Sequence, residues 1–124
     1  MLSFLAAAAA AAQTPAVPLD DPDLRCVVAV ATVSSMAESS ASEEEKAGLI
    51  AIFMYYLGKT DARYPGIDYV AEIKRVIESP GYLEKSFAAD VKRCSQEAMA
   101  RGKALEDMGE ELQNEMPVTD TKPG

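Results

Sequence analysis

The sequence predicts an all-α fold, a small four-helix domain with one disulfide joining the first and last helices. Three observations carry that expectation. Apolar residues recur in steps of three and four along most of the chain after residue 20. Helix-start signals stand at Asp21-Pro22-Asp23, at Ser42-Glu43-Glu44-Glu45 and at Asp68. The two cysteines, Cys26 and Cys94, fall on the apolar sides of the first and last helical patterns.

The first helix begins with Asp21 as N-cap, Pro22 at the first helical position and Asp23 beside the positive end of the helix dipole. Cys26, Val27, Ala29, Val30 and Val33 then drift by three or four residues. Its valines are weak helix formers, and a strand through Cys26–Val33 is the alternative. A helix is expected because no second strand-like run is present to pair with it. Met36–Ser42 loses the period and reads as a loop. Ser42 and Glu45 then form a capping box, in which the serine bonds forward and the glutamate bonds back. The helix that follows, through Leu49-Ile50-Ala51-Ile52-Phe53-Met54-Tyr55-Tyr56-Leu57, is apolar on nearly every face, which predicts a position central to the core or covered on both sides.

Gly58 to Gly66 reads as a connecting loop ending in the turn Tyr64-Pro65-Gly66. Gly58-Lys59-Thr60 is not a phosphate loop, because Phe53 stands where that motif needs its first glycine. Asp68 caps a third helix, Tyr69–Glu78, with Val70, Ile73, Val76 and Ile77 expected inward. Ser79-Pro80-Gly81 ends it. The last helix runs from about Tyr82 to Glu115, with Leu83, Phe87, Val91, Cys94, Ala98, Leu105, Met108 and Leu112 as its apolar positions. The step from Ala98 to Leu105 is filled by Gly102, and Gly109 recurs seven residues on. Such a side invites close approach by a neighbouring helix. Fraying competes with that reading, since Glu110, Glu111 and Glu115 oppose the negative dipole end. Order is expected to about Gly109, and a disordered tail over 116–124.

Residues 2–12 are an apolar, alanine-rich run, and Ala10-Ala11-Ala12 offers the small residues a signal peptidase reads. The expectation is a signal peptide over 1–12, a flexible tether over 13–19 and a helical domain over 20–115. Eleven residues rise only about 16 Å as a helix, against about 30 Å of bilayer core, so no stable membrane insertion is expected after cleavage. Export to the periplasm or beyond favours a Cys26–Cys94 disulfide over two buried free thiols. Closing a loop of that length would contribute about 4 kcal/mol in the chain-entropy model. The cysteines are too far apart for a Cys-x-x-Cys redox pair.

The chain of 124 residues carries 20 Asp and Glu against 12 Lys and Arg, a net charge of −8, and no histidine. That surface repels nucleic-acid backbones and anionic lipids. Its basic residues are interleaved with acids, as in Asp90-Val91-Lys92-Arg93. The missing histidine removes Ser–His and Cys–His chemistry and most zinc sites. No spaced acidic loop suggests a metal site, and no cofactor motif is present. Asp61, Asp68 and Glu72 could in principle supply paired carboxylates for acid–base work, but nothing in the sequence fixes their separation. The expected class is a non-catalytic protein-binding module with a protein partner.

All five tyrosines lie between positions 55 and 82, interleaved with charged residues. Tyr55, Tyr56, Lys59, Asp61, Arg63, Tyr64 and Tyr69 therefore form the candidate binding surface, since Tyr and Arg dominate binding hot spots. The competing reading is that these rings pad the edge of a small core with their hydroxyls in water.

The block from Phe53 to Asp68, followed by Arg93-Cys94 and Arg101-Gly102, resembles a set of small exported helical proteins of alphaproteobacteria, sphingomonads in particular. That resemblance implies export and a helical fold, and it carries no activity. More loosely, the short helices, the two cysteines and Val91-Lys92-Arg93-Cys94 are similar to HdeA-type periplasmic acid-stress chaperones. That resemblance implies one disulfide and an apolar surface exposed at low pH to hold unfolding clients.

Overall fold

The computed structural model describes residues 17–37 and 39–116, all of it helix, turn or connecting segment. The expected leader, most of the tether and the tail from residue 117 lie outside the described residues. Four α-helices follow in order: α1 (Pro22–Ala37), α2 (Glu43–Arg63), α3 (Tyr69–Ile77) and α4 (Phe87–Glu115), with a π-turn over Tyr82–Ser86 leading into α4. No strand occurs among the described residues, so Cys26–Val33 is helical despite its valines. A disulfide joins Cys26 in α1 to Cys94 in α4, with Cα atoms 5.6 Å apart.

The core is built around α1. Asp21 is buried and caps it, with Oδ1 accepting from the backbone N–H groups of Asp23 (3.1 Å) and Leu24 (3.0 Å). Leu24 and the unbroken run Cys26–Val30 are buried, so this helix has apolar neighbours on every side. One cluster gathers Val17, Leu24, Val28, Val76 and Tyr82, with Ile73, Ile77 and Phe87 against it. The other gathers Cys26, Val27, Val30, Tyr56 and Cys94, with Leu49, Ile52 and Phe53 against it. The central position expected of the second helix therefore belongs to the first. In α2 only Tyr56 and Thr60 are buried, and Ile50 and Met54 are exposed, because just one face of that helix meets α1.

The ordered body also starts before residue 20. Val17 is buried in the first cluster, its carbonyl accepts from Arg75 of α3, and Pro18 O accepts from Asp21 N at 3.0 Å. That part of the expected tether is packed.

Helix α2 starts as expected, with Ser42 Oγ accepting from Glu45 N at 3.1 Å. It does not stop at Gly58. It continues to Arg63, placing Lys59, Thr60, Asp61 and Arg63 on a helix instead of a loop. Tertiary interactions outweigh the weak helix propensity of Gly58. Thr60 is buried with Oγ1 donating to Tyr56 O at 2.8 Å, while Lys59 and Arg63 pair with carboxylates at the start of α1. Gly66 (φ 77°) then supplies the left-handed residue of the turn. In α3, capped by Asp68, Ile73, Val76 and Ile77 face the core. Val70 does not: it is exposed, one residue after the N-terminal Tyr69 that packs on the second cluster.

The expected single helix from Tyr82 is divided. Gly81 (φ 78°) admits the chain to a π-turn in which Phe87 N–H donates to Tyr82 O. That i→i+5 geometry sets Tyr82 and Phe87 together in the first cluster, edge to face with centroids 6.2 Å apart. From there α4 is regular to Glu115, past the point where fraying was expected. Every residue from 101 to 116 is exposed. Beyond Leu105, which still lines a cleft with α2, the helix projects about 15 Å at 1.5 Å per residue. Leu83, Leu105, Met108 and Leu112 lie outside the core.

Candidate functional site

The seven candidate residues divide into three groups. Tyr56 is fully buried, so it belongs to the core and not to any surface. Its hydroxyl donates to the carbonyl of Cys94 at 2.9 Å, bracing α2 against the disulfide. Burial pushes its phenol up to about 12, with Glu97 adding to the effect. Tyr55 lies beside it edge-on, at 4.9 Å between centroids, facing α4.

Lys59 and Arg63 form the second group, and both are engaged within the chain. Lys59 Nζ sits 2.8 Å from Glu97 of α4 and 3.0 Å from Asp23 of α1, and lies 5.3 Å from the Tyr55 ring centroid. The hydrogen bond to Glu97, with Asp23 behind it, holds the ammonium above its ordinary range. Arg63 reaches Asp21 at 2.5 Å and Asp23 at 3.3 Å, with its guanidinium 5.3 Å from the Tyr64 ring centroid. Farther along α1, Arg25 pairs with the buried Asp90 at 2.7 Å, and Arg93 donates to Pro22 O at 3.1 Å. These charges hold α2 and α4 to the N-terminal end of α1.

Asp61, Tyr64 and Tyr69 make up the third group. Tyr64 packs on the first cluster, half-buried. The Tyr69 hydroxyl lies 3.2 Å from Asp61 Oδ1 and 3.3 Å from Leu57 O. Burial first, and the Asp61 hydrogen bond second, push its phenol up to about 12. The carboxylates considered for acid–base work are each held locally. Asp61 takes Tyr69, Asp68 caps Ala71 N at 3.2 Å, and Glu72 pairs with Arg75. Among the described residues no group of three His, Cys, Asp or Glu side chains is placed to hold a metal ion.

The larger uncommitted surface lies elsewhere. Helices α2 and α4 both pack on α1, and meet each other through side chains (Tyr56 on Cys94, Lys59 on Glu97) without close backbone packing. An apolar groove opens between them. Its floor is Ala29, Val30 and Val33 of α1; Leu49 and Ile52 form one wall and Val91 and Cys94 the other. Toward the free end it continues between Ile52 and Tyr55 on α2 and Ala98, Gly102 and Leu105 on α4. At 100° per residue, Val91, Cys94, Ala98, Leu105, Met108, Leu112 and Met116 share one face of α4. The groove wall and the projecting stripe are therefore one continuous apolar strip. Beyond the body its members stay between 50% (Leu112) and 61% (Met116) exposed.

Sequence reasoning found the periodicity of this strip and left it between close approach by a neighbouring helix and fraying. The signal that could have marked it as exposed was charge density. Between residues 101 and 115 stand seven charged residues and two glycines, more than a buried helix carries.

No helix among the described residues is long and apolar enough to cross a membrane. Compared with protein-family models, with curated proteins and with solved structures, the chain matches none.

Proposed function

We propose that this chain is a non-catalytic protein-binding module of the cell envelope, which binds an amphipathic helix along the apolar strip of α4. The observation that carries the reading is the strip itself. A segment whose residues 101–116 are all exposed still keeps aliphatic residues at i, i+3, i+7 and i+11 from Leu105. Isolated helices of that length are marginal in water, and Gly102 and Gly109 weaken this one further. A partner helix supplies the missing contacts, in the way amphipathic helices are received by apolar grooves. The disulfide supports placement in an oxidising compartment, and with it the export expected from residues 1–12.

The test is site-specific photo-cross-linking in the envelope. A photoreactive residue at Met108, on the strip, is expected to give a discrete adduct. The same residue at Asn114, on the opposite side of the helix, is expected to give none. Equal labelling at both sites, or none at Met108, refutes the reading.

A second reading is an acid-activated chaperone of the HdeA type. It is favoured by the cation–carboxylate pairs at the start of α1, since protonating Asp21, Asp23 and Asp90 releases Arg63, Lys59 and Arg25 together. Its test belongs to the whole molecule and is argued below.

A further inference from the structure

Methionine is among the side chains most often buried, because its flexible thioether fills gaps in a core. This chain does the reverse. Met36 in α1, Met54 in α2, Met99 and Met108 in α4 and Met116 at the end of α4 are all exposed, from 54% (Met108) to 74% (Met99). Neither core cluster contains a methionine. Valine, leucine, isoleucine, tyrosine, phenylalanine and the disulfide fill the interior instead.

The side chains that compete for the same chemistry are missing or shielded. The sequence has no tryptophan and no histidine, and Cys26 and Cys94 are joined in a buried disulfide. A mild two-electron oxidant that meets the folded body therefore finds the methionine thioethers as its accessible targets.

We propose that these five methionines are modification sites for oxidants of the peroxide class, each taken to the sulfoxide while the body stays folded, so that the chain consumes oxidant stoichiometrically. In each step a sulfur lone pair attacks one peroxide oxygen. The O–O bond breaks as the S–O bond forms, and the attacked oxygen's proton passes to the departing hydroxide, which leaves as water. Sulfur gives up two electrons and the peroxide takes them, so no further reductant is needed. The product side chain is polar, which disrupts packing inside a core and is hydrated on a surface. Placement outside both clusters is what lets five such events leave the fold intact.

The test is treatment of the full, disulfide-bonded chain with hydrogen peroxide, read by peptide mapping over residues 17–116 and by thermal melting. Each of the five methionines is expected to gain one oxygen, about 16 Da, at a rate within about tenfold of that in urea. Melting of the oxidised chain should stay cooperative, with the midpoint lowered by less than about 5 °C. Leu24→Met supplies the buried comparison, since Leu24 is fully enclosed and the exchange conserves volume. Its added thioether should react more than about tenfold slower than the five, and the folded state should be lost once it does. Replacing all five methionines by leucine should abolish oxygen uptake over the same residues with cooperative melting retained.

Protection of any of the five beyond about tenfold relative to urea overturns the proposal, and so does loss of cooperative melting on their oxidation. Uptake that persists in the five-leucine variant would place the reaction on another group. A Leu24→Met chain that oxidises as fast as the surface sites and stays folded would show that placement does not govern the outcome, and overturns the proposal equally.

Discussion

Tyr56 and Tyr82 are both fully inside the core, yet their hydroxyls stand in opposite situations. Tyr56 O–H donates to the Cys94 carbonyl, whereas Tyr82 O–H is buried with no partner among the described residues. An intramolecular hydrogen bond contributes about 1 kcal/mol net, and an unsatisfied buried hydroxyl costs a similar amount or more. Tyr56→Phe is therefore expected to destabilise by about 1 kcal/mol in urea unfolding, and Tyr82→Phe to be neutral or stabilising. The Arg25 guanidinium, 5.2 Å from the Tyr82 ring centroid, keeps its aromatic contact in the second variant. Equal losses in the two variants would show that ring packing, not the hydroxyls, sets both values. Alkaline pH reads the same groups. Tyr56, Tyr69 and Tyr82 are each pushed from 10.0 up to about 12, chiefly by burial. Since the folded state holds these protons more tightly, their contribution to stability is complete below pH 10 and is lost as pH rises toward 12. A denaturation midpoint that does not fall over that window would contradict the burial of these phenols.

At the scale of the elements, Asp21 shows how one side chain sets both a helix start and a helix contact. Oδ1 caps α1 while Oδ2 pairs with Arg63 at the end of α2. Asp21→Ala removes both functions and is expected to cost about 2 kcal/mol; Asp21→Asn keeps the cap, loses only the charge, and should cost about half as much. The ion-pair share is small because Arg63 is partly in water. If the two variants cost the same in urea unfolding, capping contributes little and the pairing with Arg63 accounts for the loss. This cap, like those at Ser42 and Asp68, was legible in the sequence because capping depends on residues three positions apart. The disulfide was legible for a different reason: both cysteines fall on apolar helix sides, and the expected export favours a bond over two buried free thiols. The order of burial was not legible. Cys26–Val33 and Leu49–Leu57 are both nearly free of polar residues, and only their neighbours decide that the first is enclosed and the second has one open face. The end of α2 was missed likewise, because Gly58 is a local signal and the pairs holding Lys59 and Arg63 are formed with α1. In the candidate site, the same remote carboxylates turned the most binding-like residues inward and left the α4 strip outside.

For the molecule as a whole, two kinds of constraint hold α2 and α4 to α1, and acid acts on only one of them. Charged pairs fix the start of α1 to both helices through Asp21, Asp23 and Asp90, while the Cys26–Cys94 bond fixes α1 to α4 alone. Protonation of the carboxylates removes the pairs and leaves 12 Lys and Arg, with no negative charge to balance them. Repulsion then works against the compact body. Helix α2 has no covalent tie to its neighbours and is expected to separate first, uncovering Val27, Val30, Ile52 and Phe53 of the second cluster. The disulfide, closing a separation of 68 residues, contributes about 4 kcal/mol to keeping α1 and α4 together. Near pH 3 the oxidised chain is therefore expected to retain helical far-ultraviolet dichroism while binding an apolar-surface dye. Cys26→Ser with Cys94→Ser should lose the helical signal at the same pH and melt well below the parent at neutral pH. If the acid-opened form also suppresses aggregation of an acid-denatured client, the chaperone reading stands. A chain that remains tightly folded near pH 3, binds no dye and lets the client precipitate excludes it, because the second cluster would then never be presented to a client.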